Sequence, residues 1–476
     1  MKTVSKSLIK LLILPISISL SGCNNKKEVK DMVKFVSDCV GSGEIETAFF
    51  PYEFDLKKMV EYDAESDIEL AKLALMFCVN TVSTGKLVFK DSTNVAEDYK
   101  DYSVLYKELN LYDFDSVLTQ DVKIDYRDGT LVNMAHKPVT IDDQKYDICF
   151  ISFEDSSGDS GYWFSNFDIG DDVGYYDSIT GEHPEWVNKN NHKGFDIASN
   201  RSLQIIESYI SSNLDKNSQQ ILYVFGHSRG GAIANLTSAK LIDLGYKTCC
   251  YGFASPNTTT DKNASSEKYK TIHNYACKED LITNILSSDL GFTRYGETIS
   301  FSIYDYAKTY EKLNGFEIPK GDTSSIVNIF ASLADSRDEI YKKSEKFSIV
   351  TSDPMNENDV QPFLDKYLKG FTGQFKELEN YIDVSVSPVD DENGLVKVSI
   401  NTCAGFYIAL VGLVIADAIT GKMNPMSLVT SFLPYFETLF KVTNTNISKI
   451  MGAVSIEHIA YIHYYQSYFS YAINKL

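Results

Sequence analysis

The sequence has no CxxC pair and no HExxH spacing, so neither a redox dithiol nor a zinc site can be read from its motifs. Positive charge is also short. Against 65 Asp and Glu stand 45 Lys and Arg, leaving a net charge of −20, the wrong sign for neutralising a phosphate backbone or for adsorbing to anionic lipid by charge alone. Nucleic acid is therefore excluded as an expected partner. There is no internal repeat and no low-complexity tract. The charge-free stretch Ala404 to Ala416 is shorter than the ~20 residues that a membrane span requires, and a buried or lid helix is expected there. What remains is a chain of 476 residues, 43% hydrophobic, long enough for a large core and more than one layer or lobe.

Lys2, Lys6 and Lys10 precede the apolar run Leu11 to Leu20, and Ser21, Gly22 and Cys23 follow. This is the pattern of an export signal. Its small residues before the cysteine resemble the lipobox of bacterial lipoproteins, which implies a signal peptide over 1–22 and lipidation of Cys23. Residues 23–30 would form a lipidated tether, and the expected location is the cell membrane, lipid-anchored on its extracytoplasmic face. The other seven cysteines are odd in number and irregularly spaced, several in apolar runs, and they read as small buried hydrophobes.

Apolar spacing in Asp67 to Ser83 predicts a helix with an acidic start, and residues 31–121 as a whole are expected to be mainly helical. From Val122 to Phe153 the pattern is β-like, with Asp128 and Gly129 as a turn and Asp147 to Phe153 as a buried strand. Asn200 to Asn213 reads as an amphipathic helix. Gln220 to Phe225 reads as a strand, Ser228 to Leu244 as a helix closed by Gly245, and Lys247 to Phe253 as a second strand, which together make the βαβ unit of a parallel sheet. The core is assigned to 122–300. Residues 301–445 are expected to form a mainly helical cap insertion, although the turn Asp390 to Gly394 separates two strand-like runs inside it. Residues 446–476 are read as a C-terminal helix.

Gly226, His227, Ser228, Arg229 and Gly230 form GxSxG between the predicted strand and helix, the context of a nucleophile elbow. A serine on such a turn projects its hydroxyl from the sheet edge, and the glycines let strand and helix approach. The helix N-terminus favours a developing oxyanion, for which the Arg229 amide is one donor. His227 is expected to pack, pointing away from the Ser228 hydroxyl.

At this point the sequence resembles the class 3 lipase family of α/β-hydrolases, in a bacterial branch with GHSRGG followed by AIANLTSAKL. His192 to Phe195 (HKGF), Tyr162 to Phe167 (YWFSNF), Phe253 to Pro256 (FASP) and Leu290 to Gly296 (LGFTRYG) extend the likeness. The resemblance implies an α/β fold with a mostly parallel sheet flanked by helices. It implies Asp280 as the acid, with Glu279 and Asp289 as competitors, and it nominates His458, within SIEHIAY, as the base, with His463 as the alternative. It makes Ser156 the second oxyanion donor. Glu154 and Asp155 depart from the family's Arg and Gly, so either they point to solvent or catalysis is altered.

The implied function is a lipase or carboxylesterase acting on a lipid or acyl-ester substrate through Ser228, His458 and Asp280, with no cofactor, no metal, and a membrane contact through its N-terminal anchor. A monomer is expected. The long separation of Asp280 from His458 implies the inserted cap. A non-catalytic lipoprotein that binds lipid or a surface partner, and an acyltransferase or peptidase using the same triad, are the alternatives.

Overall fold

The computed structural model describes residues 31–38, 44–62, 65–119, 129–156, 166, 187–284, 291–321, 347–350, 355–362, 382–390, 394–402 and 456–474. The signal, the tether and Cys23, the Ala404 to Ala416 stretch, Asp289 and most of the YWFSNF segment lie outside these residues.

The segment expected to be mainly helical after residue 30 mixes strands and helices in similar measure. Strands β1 (Asp31–Asp38), β2 (Glu44–Glu46), β3 (Phe50–Tyr52) and β4 (Gly85–Phe89) form a four-stranded antiparallel sheet around β1. Alternation explains the difference: Val33 and Phe35 point into the core, and a two-residue period belongs to a strand. Helices here are α1 (Leu56–Val60), α2 (Ile68–Val79) and α3 (Val104–Glu108). Asp67 caps α2, accepting from the amides of Glu69 and Leu70 at 2.7 and 3.1 Å. Apart from Glu69 and Lys72, which pair at 2.8 Å, the helix is apolar, and it is buried along nearly its whole length.

The central sheet has seven strands: β5 (Tyr112–Leu118), β6 (Leu131–Ile141), β7 (Gln144–Phe153), β8 (Gln219–His227), β9 (Lys247–Phe253), β10 (Ile272–Cys277) and β11 (Glu297–Phe301). They lie side by side in chain order. β7 through β11 are parallel, while β5, β6 and β7 are antiparallel. Asp142 and Asp143, both at positive φ, turn β6 into β7 in the manner of a type I′ hairpin.

Helix α4 (Lys193–Asn213) crosses from β7 to β8, and α5 (Arg229–Asp243) from β8 to β9. Gly245, at φ +90°, closes α5: its amide bonds to Ile242 O and that of Tyr246 to Leu241 O, the Schellman pairing. Helices α6 (Ala307–Asn314), α7 (Ile456–His463) and α8 (Tyr465–Asn474) complete the set used below. Residues on β8 alternate: Ile221, Tyr223 and Phe225 face the core shared with α2 and α8, whereas Leu222 and Val224 face that of α4 and α5. Burial on both faces is what a parallel sheet between helices requires. This architecture is the α/β-hydrolase fold.

Most of the mainly helical cap expected over 301–445 lies outside the described residues. Its described residues include α6 but also β12 (Phe347–Val350), β13 (Met355–Asn356), β14 (Ile382–Asp390) and β15 (Leu395–Thr402), a second four-stranded antiparallel sheet. β14 and β15 are the two strand-like runs around the predicted turn. Cys78, Cys149, Cys249, Cys250 and Cys277 are buried free thiols. No helix among the described residues is long and apolar enough to cross a membrane.

Candidate active site

β8 hands over to α5 through a single residue, Ser228, at φ 54° and ψ −125°. A non-glycine residue held there stores about 1–3 kcal/mol of backbone strain. Backbone bonds hold it in place: the Ser228 amide donates to Phe253 O at 2.8 Å, and its carbonyl accepts from Ala232 N at 3.1 Å. The flanking glycines are required by contact. A Cβ on Gly226 would overlap the Gly230 carbonyl, and one on Gly230 would lie 2.6 Å from Phe153 O. Strand, helix and the end of β7 thus meet at the elbow.

β10 ends at Cys277, and a turn closed by Asp280 N to Cys277 O places the Asp280 side chain, fully buried, at the same end of the sheet. Its carboxylate accepts from the Ile282 amide at 2.9 Å, from the Tyr468 hydroxyl at 2.7 Å, and from His463 Nδ1 at 3.0 and 2.9 Å. His463 Nε2 lies 2.9 Å from Ser228 Oγ. Because Nδ1 donates to a carboxylate, Nε2 is left as the acceptor for the serine hydroxyl. Burial, then the Asp280 charge, pushes the Tyr468 phenol well above its ordinary value, so it stays a donor.

His463, not His458, therefore faces the serine. Five helical residues turn the side chain by about 140°, so both histidines of α7 cannot share a face. His458 is buried elsewhere, with Nδ1 2.6 Å from Pro319 O and its Cβ abutting Gly321. It fastens the chain leaving α6. The SIEHIAY likeness drew the prediction to His458, whereas the informative signal lay beyond it, in Tyr465 and Tyr468. Helix α8 brings the hydroxyl of Tyr468 to the acid, a contact that the sequence analysis missed.

The competing acid Glu279 is engaged elsewhere, accepting from Ser302 Oγ at 2.6 Å and Ile303 N at 3.0 Å. Asp289 lies outside the described residues. Arg294, of the LGFTRYG segment, donates to the carbonyls of Ser255 and Thr283 and ties the loop after Asp280 to the end of β9. Burial lowers its pKa to about 10, which leaves it cationic at neutral pH.

Ser156 is buried three residues beyond β7, and its Oγ accepts from Asn166 Nδ2 at 2.9 Å. The Asn166 carbonyl accepts in turn from His192 Nε2 at 3.1 Å, while His192 Nδ1 caps α4 by accepting from Phe195 N at 3.4 Å. Burial drops the His192 pKa to about 3, consistent with a neutral ring that donates at one nitrogen and accepts at the other. Glu154 and Asp155 do not point to solvent. Both are buried, and Asp155 Oδ2 accepts from the Tyr465 hydroxyl at 3.3 Å. His227 packs as expected, its ring centroid 4.1 Å from that of Tyr465, and donates from Nε2 to the His463 carbonyl at 2.8 Å. Of the other histidines, His136 lies between Asp113 and Asp147, and His273 Nδ1 is 2.7 Å from Glu297. Among the described residues no group of three His, Cys, Asp or Glu side chains is placed to hold a metal ion.

The family model of class 3 lipases matches residues 173–289, a stretch that holds the elbow and Asp280. No curated protein matches the chain. Among solved structures, a Rhizomucor miehei lipase propeptide complex is 17% identical, with 42% of this chain and 58% of that one covered and a TM-score of 0.29. Mono- and diacylglycerol lipase from Aspergillus oryzae is 16% identical over 49% of this chain and 79% of its own, at 0.32. A lipase from Rhizopus microsporus var. chinensis is 14% identical over 42% and 64%, at 0.27. The chain thus spans under two thirds of the length of the Rhizomucor and Rhizopus chains it matches.

Proposed function

We propose that this chain is a serine carboxylic ester hydrolase of the class 3 lipase kind, acting on a lipid or acyl ester at a bacterial cell envelope to which lipidated Cys23 anchors it. The observation that carries the reading is the alignment of Ser228 Oγ, His463 and Asp280, at 2.9 Å and 2.9 to 3.0 Å. The Ser228 oxygen attacks the ester carbonyl as its proton passes to His463 Nε2. Asp280 holds the imidazole in the required tautomer and stabilises the imidazolium. The carbonyl oxygen, now anionic, is bound by the amides of Arg229 and Ser156, with the N-terminus of α5 beneath it. Collapse breaks the bond to the alkoxy oxygen, which leaves as the alcohol with the proton from His463. A water molecule then gives a proton to His463 and its oxygen to the acyl carbon, releasing the carboxylic acid and restoring Ser228.

The test is hydrolysis of p-nitrophenyl esters of increasing acyl length by residues 24–476, beside Ser228→Ala. Activity lost in the variant supports the reading, and the chain-length profile separates esterase from lipase. The burial of Glu154 and Asp155 beside Ser156 favours a second reading, a catalytically impaired protein that binds lipid or a surface partner. A folded chain with no activity whose Ser228 resists a fluorophosphonate would establish that one instead. For the anchor, fatty-acid labelling in cells is expected for the wild type and absent from Cys23→Ser.

A further inference from the structure

We propose that Asp155 is a positioning residue for the base: together with His227 and Tyr465 it clamps the helix break at which His463 sits to the segment that leads into Ser156. This rests on the hydrolase reading of the site.

The break itself creates the need. α7 ends at His463 and α8 begins at Tyr465, so the His463 carbonyl belongs to the last turn of a helix and has no partner within it. His227 supplies one, donating from Nε2 at 2.8 Å. Alternation along β8 puts His227 on the face of Ile221, Tyr223 and Phe225, directly against α8, and it is the residue next to the nucleophile. One imidazole therefore registers the main chain of the base to the strand that carries the serine.

A ring can do this only if it keeps its hydrogen on Nε2 and does not rotate. The other nitrogen, Nδ1, is buried without a hydrogen-bond partner, and Asp155 Oδ2 is the carboxylate oxygen facing it at 3.7 Å. The same oxygen accepts from Tyr465 at 3.3 Å, and the Tyr465 ring covers the imidazole. The Asp155 carboxylate draws hydrogen to Nδ1 while the His463 carbonyl accepts the one on Nε2, so the charge favours the ring that carries both over either neutral tautomer and holds its orientation. Burial acts the other way, drawing the His227 pKa below its ordinary value, with His463 adding to that and Asp155 opposing it. Asp155 immediately precedes Ser156, so the clamp joins the two halves of the site that the serine must address together.

Asp155→Ala is expected to lower kcat for a short-chain p-nitrophenyl ester by about 10- to 100-fold with KM changed less than about 3-fold, since a displaced base costs turnover and not binding. Asp155→Asn, whose amide oxygen still accepts from Tyr465, should recover part of the loss. A readout independent of turnover is the 15N imidazole spectrum of histidine-labelled protein, assigned with His463→Gln and His227→Gln. His463 should appear as one Nδ1–H tautomer in the wild type and as a broadened or mixed signal in Asp155→Ala. An unchanged His463 signal and an unchanged kcat in folded Asp155→Ala would overturn the proposal. If that variant does not fold, Asp155→Asn and Tyr465→Phe decide it by the same two criteria. A wild type that a fluorophosphonate fails to label would count against the hydrolase reading, while the His463 signal still decides the clamp.

Discussion

Two buried histidines packed in or on the central sheet each turn Nδ1 toward an aspartate. His463 meets Asp280 beyond the end of β10, and His136, on β6, meets Asp147 near the start of β7 at 2.8 Å. What differs is the far side of the ring. His463 Nε2 faces the Ser228 hydroxyl at 2.9 Å, whereas His136 Nε2 faces a second carboxylate, Asp113, at 2.9 Å. The hydrogen bond that His136 donates to Asp147 raises the His136 pKa, burial opposes it, and Asp113 raises it further. Held between two acceptors that both favour its protonated form, His136 staples β5, β6 and β7. The same dyad becomes a base only where its free nitrogen looks at a group with a proton to give.

Breaking the first constellation should have the largest effect. Ser228→Ala or His463→Ala is expected to reduce kcat for a p-nitrophenyl ester by about 10³- to 10⁶-fold, and the double variant little further, because the two act as a unit. Asp280→Asn should cost about 10³- to 10⁴-fold by releasing the tautomer. Tyr468→Phe, which removes one donor from Asp280 and keeps the ring, should cost about tenfold in kcat, the rate equivalent of one hydrogen bond. On the other side of the comparison, His136→Asn should leave kcat unchanged and lower stability by about 1 kcal/mol at acidic pH, measured by urea unfolding. The folded-state pKa of His136 lies above the ordinary 6.5, so its contribution is complete below 6.5 and is lost as pH rises through the folded value. The variant should therefore differ most from wild type near pH 5.5 and least at alkaline pH; the reverse order would break the comparison. His458→Gln is likewise expected to stay within about 2-fold of wild type in kcat, since His458 Nδ1 is held at Pro319 O and it is His463 that meets Ser228.

The elbow and the strands around it were legible because their constraints are local. GHSRGG carries its own steric reasons in Gly226 and Gly230, and the βαβ unit shows in apolar runs bounded by Gly245. Asp280 was legible only through the family resemblance, which puts the acid after this strand. The base was placed at His458, with His463 only as the alternative, because the choice depends on where a helix stops. α7 breaks at Tyr464, and α8 is set by ring contacts made far away in the sequence, Phe35 with Phe469 at 5.1 Å and Phe50 with Phe469 at 4.8 Å. Those contacts belong to the N-terminal sheet, which was read as helix because short strands alternate weakly over so few residues. Asp155 was visible as a departure from a pattern. Its partners were not, since Tyr465 lies 310 residues away.

The contact between Ser228 and His463 closes a loop of 235 residues. On a chain that emerges from its N-terminus, the sheet, the elbow and the acid are all made well before the base. A nascent molecule can fold around Ser228 and Asp280 and still be chemically silent, with the hydroxyl in place and nothing to deprotonate it. The base joins them only once α8 packs on α2 and the N-terminal sheet and His463 is in line with Ser228. The order of synthesis thus puts the serine 235 residues ahead of its base.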